Sequence, residues 1–166
     1  MKAVNLRSFR QKARHNKRKF RLFLTRLKKH PVRGLDNIAL AIDKEVWPET
    51  DCLTCGNCCK TMSPTFTHKD ILRIAAYTGL TEKEFKEKWL EKDSSGDWLN
   101  KKLPCQFLDI KTNKCTIYSV RPADCSGFPH LTKKKMTEYI HVHKQNVEFC
   151  PATYKMVEKM MKRIEL

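Results

Sequence analysis

The sequence predicts an α-rich α+β fold of modest size. Three observations carry this. The chain has 166 residues and 40% hydrophobic content, enough for a real but small core. Several long segments repeat their apolar residues at helical spacing. Residues 94–150 break that rhythm into short β-favouring runs and turns, punctuated by cysteines.

The first element is a helix. Leu6, Phe9, Ala13, Phe20, Phe23, Leu24 and Leu27 recur at spacings of three, four and seven, which leaves one apolar stripe. Bases fill the rest. Residues 1–33 hold thirteen Lys or Arg and no Asp or Glu, while the remaining 133 hold twenty-one bases and all eighteen acids. The formal charge of +16 therefore sits mostly on one end. This divides the chain into a basic helical arm, 1–33, and a nearly balanced body, 34–166. A helix bearing Arg7, Arg10, Arg14, Lys17, Arg18, Arg21, Lys28 and Lys29 with no acids calls for a polyanion. RNA, including the ribosome, is the first choice, because nothing resembles a DNA-reading motif. An anionic membrane surface is the second, since basic amphipathic helices suit it too. A mitochondrial presequence is the third, although the arm is Lys-rich with few Ser. A solvated helix without a ligand is the bland alternative.

His30-Pro31 and Gly34 end the arm, and a helix from Asp36 turns Leu35, Ile38, Ala39, Ile42 and Val46 inward. Two capping boxes, Thr67-x-x-Asp70 and Thr81-x-x-Glu84, with Gly79 between them, predict helices over about 68–78 and 82–92. Their core residues are Ile71, Leu72, Ile74, Ala75, Phe85, Trp89 and Leu90. The second helix alternates Glu with Lys, which favours a packed pair over a DNA-binding helix-turn-helix. SSGD, residues 94–97, is a turn. CQFL and CTIY, separated by DIKTNK, read as a hairpin. Tyr139, Ile140 and Val142 suggest a further strand. Pro151 opens a terminal helix with Tyr154, Val157, Met160, Met161 and Ile164 inside, the Met pair serving as core filler.

Eight cysteines remain to be explained, and four lie within DCLTCGNCCK. The N-terminus has no apolar signal core, and no run approaches the ~18 apolar residues of a membrane span. A reducing, cytoplasmic setting follows, in which dense thiols argue for metal or redox chemistry over disulfides. Only five glycines occur, none spaced as GxGxxG or a P-loop, which counts against nucleotide-binding folds. A thioredoxin-like CxxC pair lacks its βαβ surroundings, and a vicinal Cys58–Cys59 disulfide is a minor alternative. Thiolates select zinc, copper(I) or iron–sulfur centres. Cys52-x-x-Cys55-x-x-Cys58 matches the ferredoxin ligand run, and Cys150-Pro151 matches its remote ligand. Cys105, Cys115 and Cys125 stand ten apart, unlike the second CxxC of a zinc ribbon. A 4Fe-4S cluster is therefore favoured, with zinc still open. Adjacent side chains diverge, so Cys58 and Cys59 are expected to serve different centres. One would be Cys52, Cys55, Cys58 and Cys150, the other Cys59, Cys105, Cys115 and Cys125. The competing view is a single centre with the other thiols as core. Histidines are left out of the sites. Arg121, in RPADC, stands either near a thiolate or in a salt bridge with an acid such as Asp124.

Together, CLTCGNCC, PCQFL, KCTIY and RPADCSGFP resemble the CxxCxxCC cysteine-cluster family, also called YkgJ-type and described as a zinc- or iron-chelating domain. The resemblance covers roughly residues 50 to 151, with four motifs in the family's order. It implies metal binding. It also implies a kinship with flagellin lysine methylases, whose related domain is associated with an iron–sulfur cluster. Three function classes follow: a metal-stabilised module that docks on RNA or a ribonucleoprotein, a redox or protein-modifying component, and an iron- or zinc-handling protein. No acid/base or nucleophile constellation appears outside the cysteines, so no catalytic residue is assigned.

Overall fold

In the computed structural model, residues 4–133 and 135–165 are described; Lys2, one of the arm's thirteen bases, lies outside them. The helices run α1 (Leu6–Lys29), α2 (Leu35–Val46), α3 (Cys52–Cys55), α4 (Asn57–Thr61), α5 (His68–Thr78), α6 (Glu82–Trp89), α7 (Ala123–Gly127), α8 (Ile140–Phe149) and α9 (Pro151–Arg163). Four short strands, β1 (Leu90–Lys92), β2 (Trp98–Asn100), β3 (Leu108–Asp109) and β4 (Lys114–Cys115), form two antiparallel pairs, β1 with β2 and β3 with β4. The fold is α-rich α+β. The chain separates into two compact units, one of residues 1–55 with 129–166 and one of residues 56–128. Along the chain the boundaries fall at 55/56 and 128/129, a different kind of division from the one at 33/34 drawn from charge.

The first unit is helical. Asn5 caps α1 by accepting the Ser8 N–H at 3.0 Å. The stripe Phe9, Ala13, Phe20, Phe23, Leu24 and Leu27 is buried, and α1 packs along α8 and α9. Phe9 and Phe20 lie 5.9 and 4.8 Å, centroid to centroid, from Tyr154 of α9. Asn16 donates to the Tyr154 hydroxyl at 2.8 Å. So the arm is part of a helical core. On α2, Leu35, Ala39, Ile42 and Val46 are buried, and Ile38 is half-buried. Asp36 accepts the backbone N–H groups of Lys135 and Met136 at 3.0 and 2.9 Å, which pins the entry to α8. Arg163 and Lys159 of α9 pair with Glu45 of α2 at 2.6 and 3.1 Å. Tyr154, Met156, Val157 and Met160 form the inner face of α9, Ile164 is buried just past its end, and Met161 is half-buried.

The strand expected around Tyr139–Val142 is a correction. Met136–Tyr139 is a 3₁₀ turn and Ile140–Phe149 is α-helix. The buried positions of α8 are Ile140, His143, Asn146 and Val147. Two of these four are polar, so the helical period is hidden from a search for apolar spacing.

The second unit has its core in Phe66, Ile71, Ile74, Ala75, Phe85, Leu90, Phe107 and Ile117. Both capping boxes form, Thr67 with Asp70 and Thr81 with Glu84, and Gly79 terminates α5 in the left-handed region. Leu72, expected inside, is exposed, because the stripe through positions 71, 74 and 75 faces away from it. The second of these helices stops at Trp89 rather than at residue 92. Leu90–Lys92 extends and pairs with Trp98–Asn100, Leu90 opposite Asn100. Asp93 drives this by accepting the N–H groups of Ser95 and Asp97 at 2.8 and 2.9 Å, and Gly96 at φ 86° closes the turn. The expected CQFL/CTIY hairpin is present but shorter, pairing Leu108 with Cys115 and Asp109 with Lys114.

Candidate metal centre

The second unit begins inside the cysteine motif at Gly56, at φ 54°, where the chain turns into α4. The left-handed turn is what calls for the Gly in CLTCGNCC; a Cβ there would meet the Asn113 carboxamide only at ordinary contact distance, 3.4 Å. One turn of helix then carries Cys58 and Cys59. Their sulfurs lie 3.9 Å apart. A tetrahedral site with Zn–S near 2.3 Å has sulfur–sulfur edges of about 3.8 Å. The premise that these neighbours must diverge is thus not met: their separation suits two ligands of one ion.

Three further thiols join them. The Cys105 N–H donates to the Cys59 carbonyl at 2.8 Å. Cys105 and Cys115 pack against the apolar core of this unit. Cys125 sits on α7, whose start is fixed by the Ala123 N–H donating to Asp70 at 3.1 Å. The Thr65 N–H donates to Asp124, next to Cys125, at 3.1 Å.

The electrostatics mark these thiols as a group. Cys59 is pulled down to about 7, first by its hydrogen bond with the Cys58 thiol, against burial, with help from a backbone N–H and the Lys60 charge. The others move the opposite way. Burial raises Cys105, and negative charge on Cys59 and Cys115 adds to it. Burial raises Cys115, with Cys59 adding, while the Arg121 guanidinium works against the rise. Burial raises Cys125 strongly, reinforced by Cys59, Cys105, Asp124 and Cys115. Cys59, Cys105, Cys115 and Cys125 are therefore close enough to repel one another as thiolates. A cation among them removes that penalty and deprotonates the ligands. Among the described residues, no three Cys, His, Asp or Glu side chains converge as a ready ligand set. The donor chemistry and the Cys58–Cys59 spacing fit zinc or iron.

Arg121 stands with its guanidinium 3.9 Å from the centre of the Tyr118 ring and donates to the Tyr118 carbonyl at 2.7 Å. Of the two roles open to it, the one near a thiolate is the one its effect on Cys115 favours.

The first unit holds Cys52, Cys55 and Cys150. Cys52 is exposed, and the other two are buried. Cys150 caps α9, its sulfur accepting the Thr153 N–H at 3.5 Å. Burial pushes this thiol up to about 11, against hydrogen bonds from Thr153 and Ala152, and the Cys52 charge adds to the rise. So Cys52 and Cys150 also lie within electrostatic reach of each other.

The basic positions all face solvent. Arg7, Arg10, Arg14, Lys17, Arg18, Arg21, Lys28 and Lys29 are exposed on α1. Lys17 and Arg21 pair with Glu148 at 2.7 and 3.4 Å.

Two of the histidines left out of the sites, His130 and His143, are buried. His143 is 0% exposed, and neither ring nitrogen has a hydrogen-bond partner among the described residues. Burial holds its pKa down at about 4, helped by His130 and His141. An unfolded histidine titrates near 6.5, so this residue contributes stability that is complete above that value. It is lost as pH falls from about 6.5 to about 4, amounting to roughly 3 kcal/mol. Urea titrations across this range are expected to show that loss, and His143→Leu to flatten it. An unchanged pH dependence in the variant would refute the assignment. No spacing rule flags such a residue; only its place on the inner face of α8 does.

A family model, CxxCxxCC, described as a zinc- or iron-chelating domain, matches residues 51–151. The chain belongs to this family. The match takes in all eight cysteines and both groups of thiols. Among curated proteins, the chain is similar to an uncharacterised protein of Methanocaldococcus jannaschii, MJ0661, with 37% identity over 81 residues. That alignment covers 48% of this chain and 43% of the relative, so the chain spans less than half of that protein's length. No solved structure matches. Among the described residues, no helix is long and apolar enough to cross a membrane.

Proposed function

We propose that this CxxCxxCC protein is a non-enzymatic module that holds zinc or an iron–sulfur cluster on its cysteines and docks on RNA or a ribonucleoprotein, such as the ribosome, through α1. The observation that carries the metal reading is the 3.9 Å separation of the Cys58 and Cys59 sulfurs, in the unit that also holds Cys105, Cys115 and Cys125. Cys52, Cys55 and Cys150 are the ligands available in the other unit. The ferredoxin-like run favours iron–sulfur, and the tetrahedral sulfur spacing suits zinc. When bound, the metal supplies a positive charge that keeps the thiols deprotonated and ties their loops together.

Anaerobic purification followed by metal and acid-labile sulfide analysis tests this. Iron with sulfide and broad absorption near 400 nm identifies a cluster. Colourless protein with zinc identifies a structural site. Replacing Cys125 with Ser is expected to remove at least one metal equivalent. Protein that purifies without metal under both oxidising and anaerobic conditions would defeat the reading.

The docking reading rests on the exposure of the α1 bases while Phe9, Phe20 and Phe23 are buried. An anionic membrane is less well served, because the apolar stripe that would enter the interface already packs on α8 and α9.

A further inference from the structure

We infer that the outer ridge of α1 is a docking surface for the phosphate backbone of double-helical RNA, and that Glu148 is its built-in counter-charge. This rests on the docking reading above and gives it a specific partner. Arg7, Arg14, Arg18 and Arg21 recur at spacings of seven, four and three, which places them on one ridge away from the buried stripe, with Arg21 at its edge toward α8. From Arg7 to Lys28 the ridge runs about 32 Å along a straight helix. Among the described residues, no acid pairs with Arg7, Arg14 or Arg18. Like charges a turn apart repel, so the ridge is destabilising by itself and is relieved by an anion that matches its length.

The chemistry narrows that anion. Proteins that hold single strands stack bases on aromatic side chains. Here the three phenylalanine rings of α1, Phe9, Phe20 and Phe23, are turned inward. The ridge offers cations only, so it reads phosphates and not bases. An A-form duplex presents a rigid array of phosphates and does not admit a helix into its deep groove, which suits a helix lying across the backbone.

Glu148 qualifies this surface. It sits on α8, binds Lys17 and Arg21, and so cancels charge at the edge of the ridge. A duplex therefore competes with Glu148 for those two side chains.

The test is fluorescence anisotropy of the full chain on a labelled RNA hairpin between about 50 and 200 mM salt. Arg7→Gln/Arg14→Gln/Arg18→Gln is expected to weaken binding by about tenfold or more and to reduce the salt slope by about two to three. Glu148→Gln is expected to tighten binding by about two- to fivefold. Unchanged affinity in the triple variant overturns the ridge. Unchanged or weaker affinity in Glu148→Gln overturns the counter-charge. Tighter binding to anionic vesicles, to single-stranded RNA or to duplex DNA overturns the choice of partner. Should the triple variant fail to fold by circular dichroism, Lys28→Gln/Lys29→Gln at the exposed end of α1 reads the same slope. Metal content is measured on every preparation. Loss of RNA binding with metal retained defeats the docking alone, and RNA binding without metal defeats the chelation reading alone.

Discussion

Removing the metal with a strong chelator is expected to unfold residues 56–128 while residues 1–55 and 129–166 keep most of their hydrogen-exchange protection. The second unit has little else to hold its cysteine-bearing half. Its core is eight buried apolar residues, five of them on α5, α6 and β1, with Phe66 just before α5 and only Phe107 and Ile117 from the cysteine-bearing half. Between residues 101 and 128 the regular structure is a pair of two-residue strands, a 3₁₀ turn at Tyr118–Val120 and the five-residue α7. A single turn of helix does not repay its nucleation, and a lone two-stranded hairpin is marginal in water. Structural zinc contributes on the order of 10–16 kcal/mol, which equals or exceeds the 5–15 kcal/mol by which whole domains are stable. The first unit is different. It has the 24-residue α1 packed on α8 and α9, with Leu24, Leu27, Ile42, Met156 and Met160 fully buried. Exchange should therefore rise by orders of magnitude at amides of residues 101–128 and little along α1. Equal loss in both units, or no loss in either, would refute the coupling of metal to the second unit.

The same contrast governs what was legible in the sequence. The α1 stripe could be read because each of its buried positions is apolar and its caps are ordinary: Asn5 before, His30-Pro31 after. The capping boxes could be read because Thr67–Asp70 and Thr81–Glu84 act within four residues. The partition of the thiols into two sets rests on the divergence of neighbouring side chains, a premise that the 3.9 Å separation of the Cys58 and Cys59 sulfurs does not meet. What could not be read depends on distant partners. Residues 129–166 return to pack with residues 1–55, and no local signal announces that closure. Residues 140–149 are helical although His143 and Asn146 occupy buried positions, because α1 and α9 supply the surface that α8 covers. Leu90 leaves the helical path because Asn100 offers it a strand partner ten residues on.

Asp70→Ala is expected to cost about 3 kcal/mol and to weaken metal retention as well, although Asp70 is not among the thiol ligands. This carboxylate is 1% exposed and saturated with donors. One oxygen accepts the Thr67 N–H and hydroxyl at 3.0 and 2.6 Å; the other accepts Arg73 at 2.8 Å and the Ala123 N–H at 3.1 Å. The first pair is a capping box, worth about 1 kcal/mol. Of the second pair, the Ala123 bond fastens the start of α7, and so Cys125, to α5; stranding that part-buried N–H costs about 1–3 kcal/mol. Burial opposes ionisation of Asp70, but the hydrogen bonds from Thr67, Ala123 and Arg73 outweigh it and leave the pKa below its ordinary value. A depressed carboxyl contributes stability that is present above its unfolded value near 3.9 and lost as pH falls through the folded value. The control is Glu84→Ala. Glu84 makes the same box with Thr81 at 2.7–2.8 Å but is exposed and has no bond to α7. It should cost only about 1 kcal/mol and leave metal content unchanged. Thermal melts and metal-to-protein ratios on the two variants decide the matter. If Asp70→Ala costs no more than Glu84→Ala, the bond to Ala123 does not position the Cys125 helix, and the metal site relies on its thiols alone.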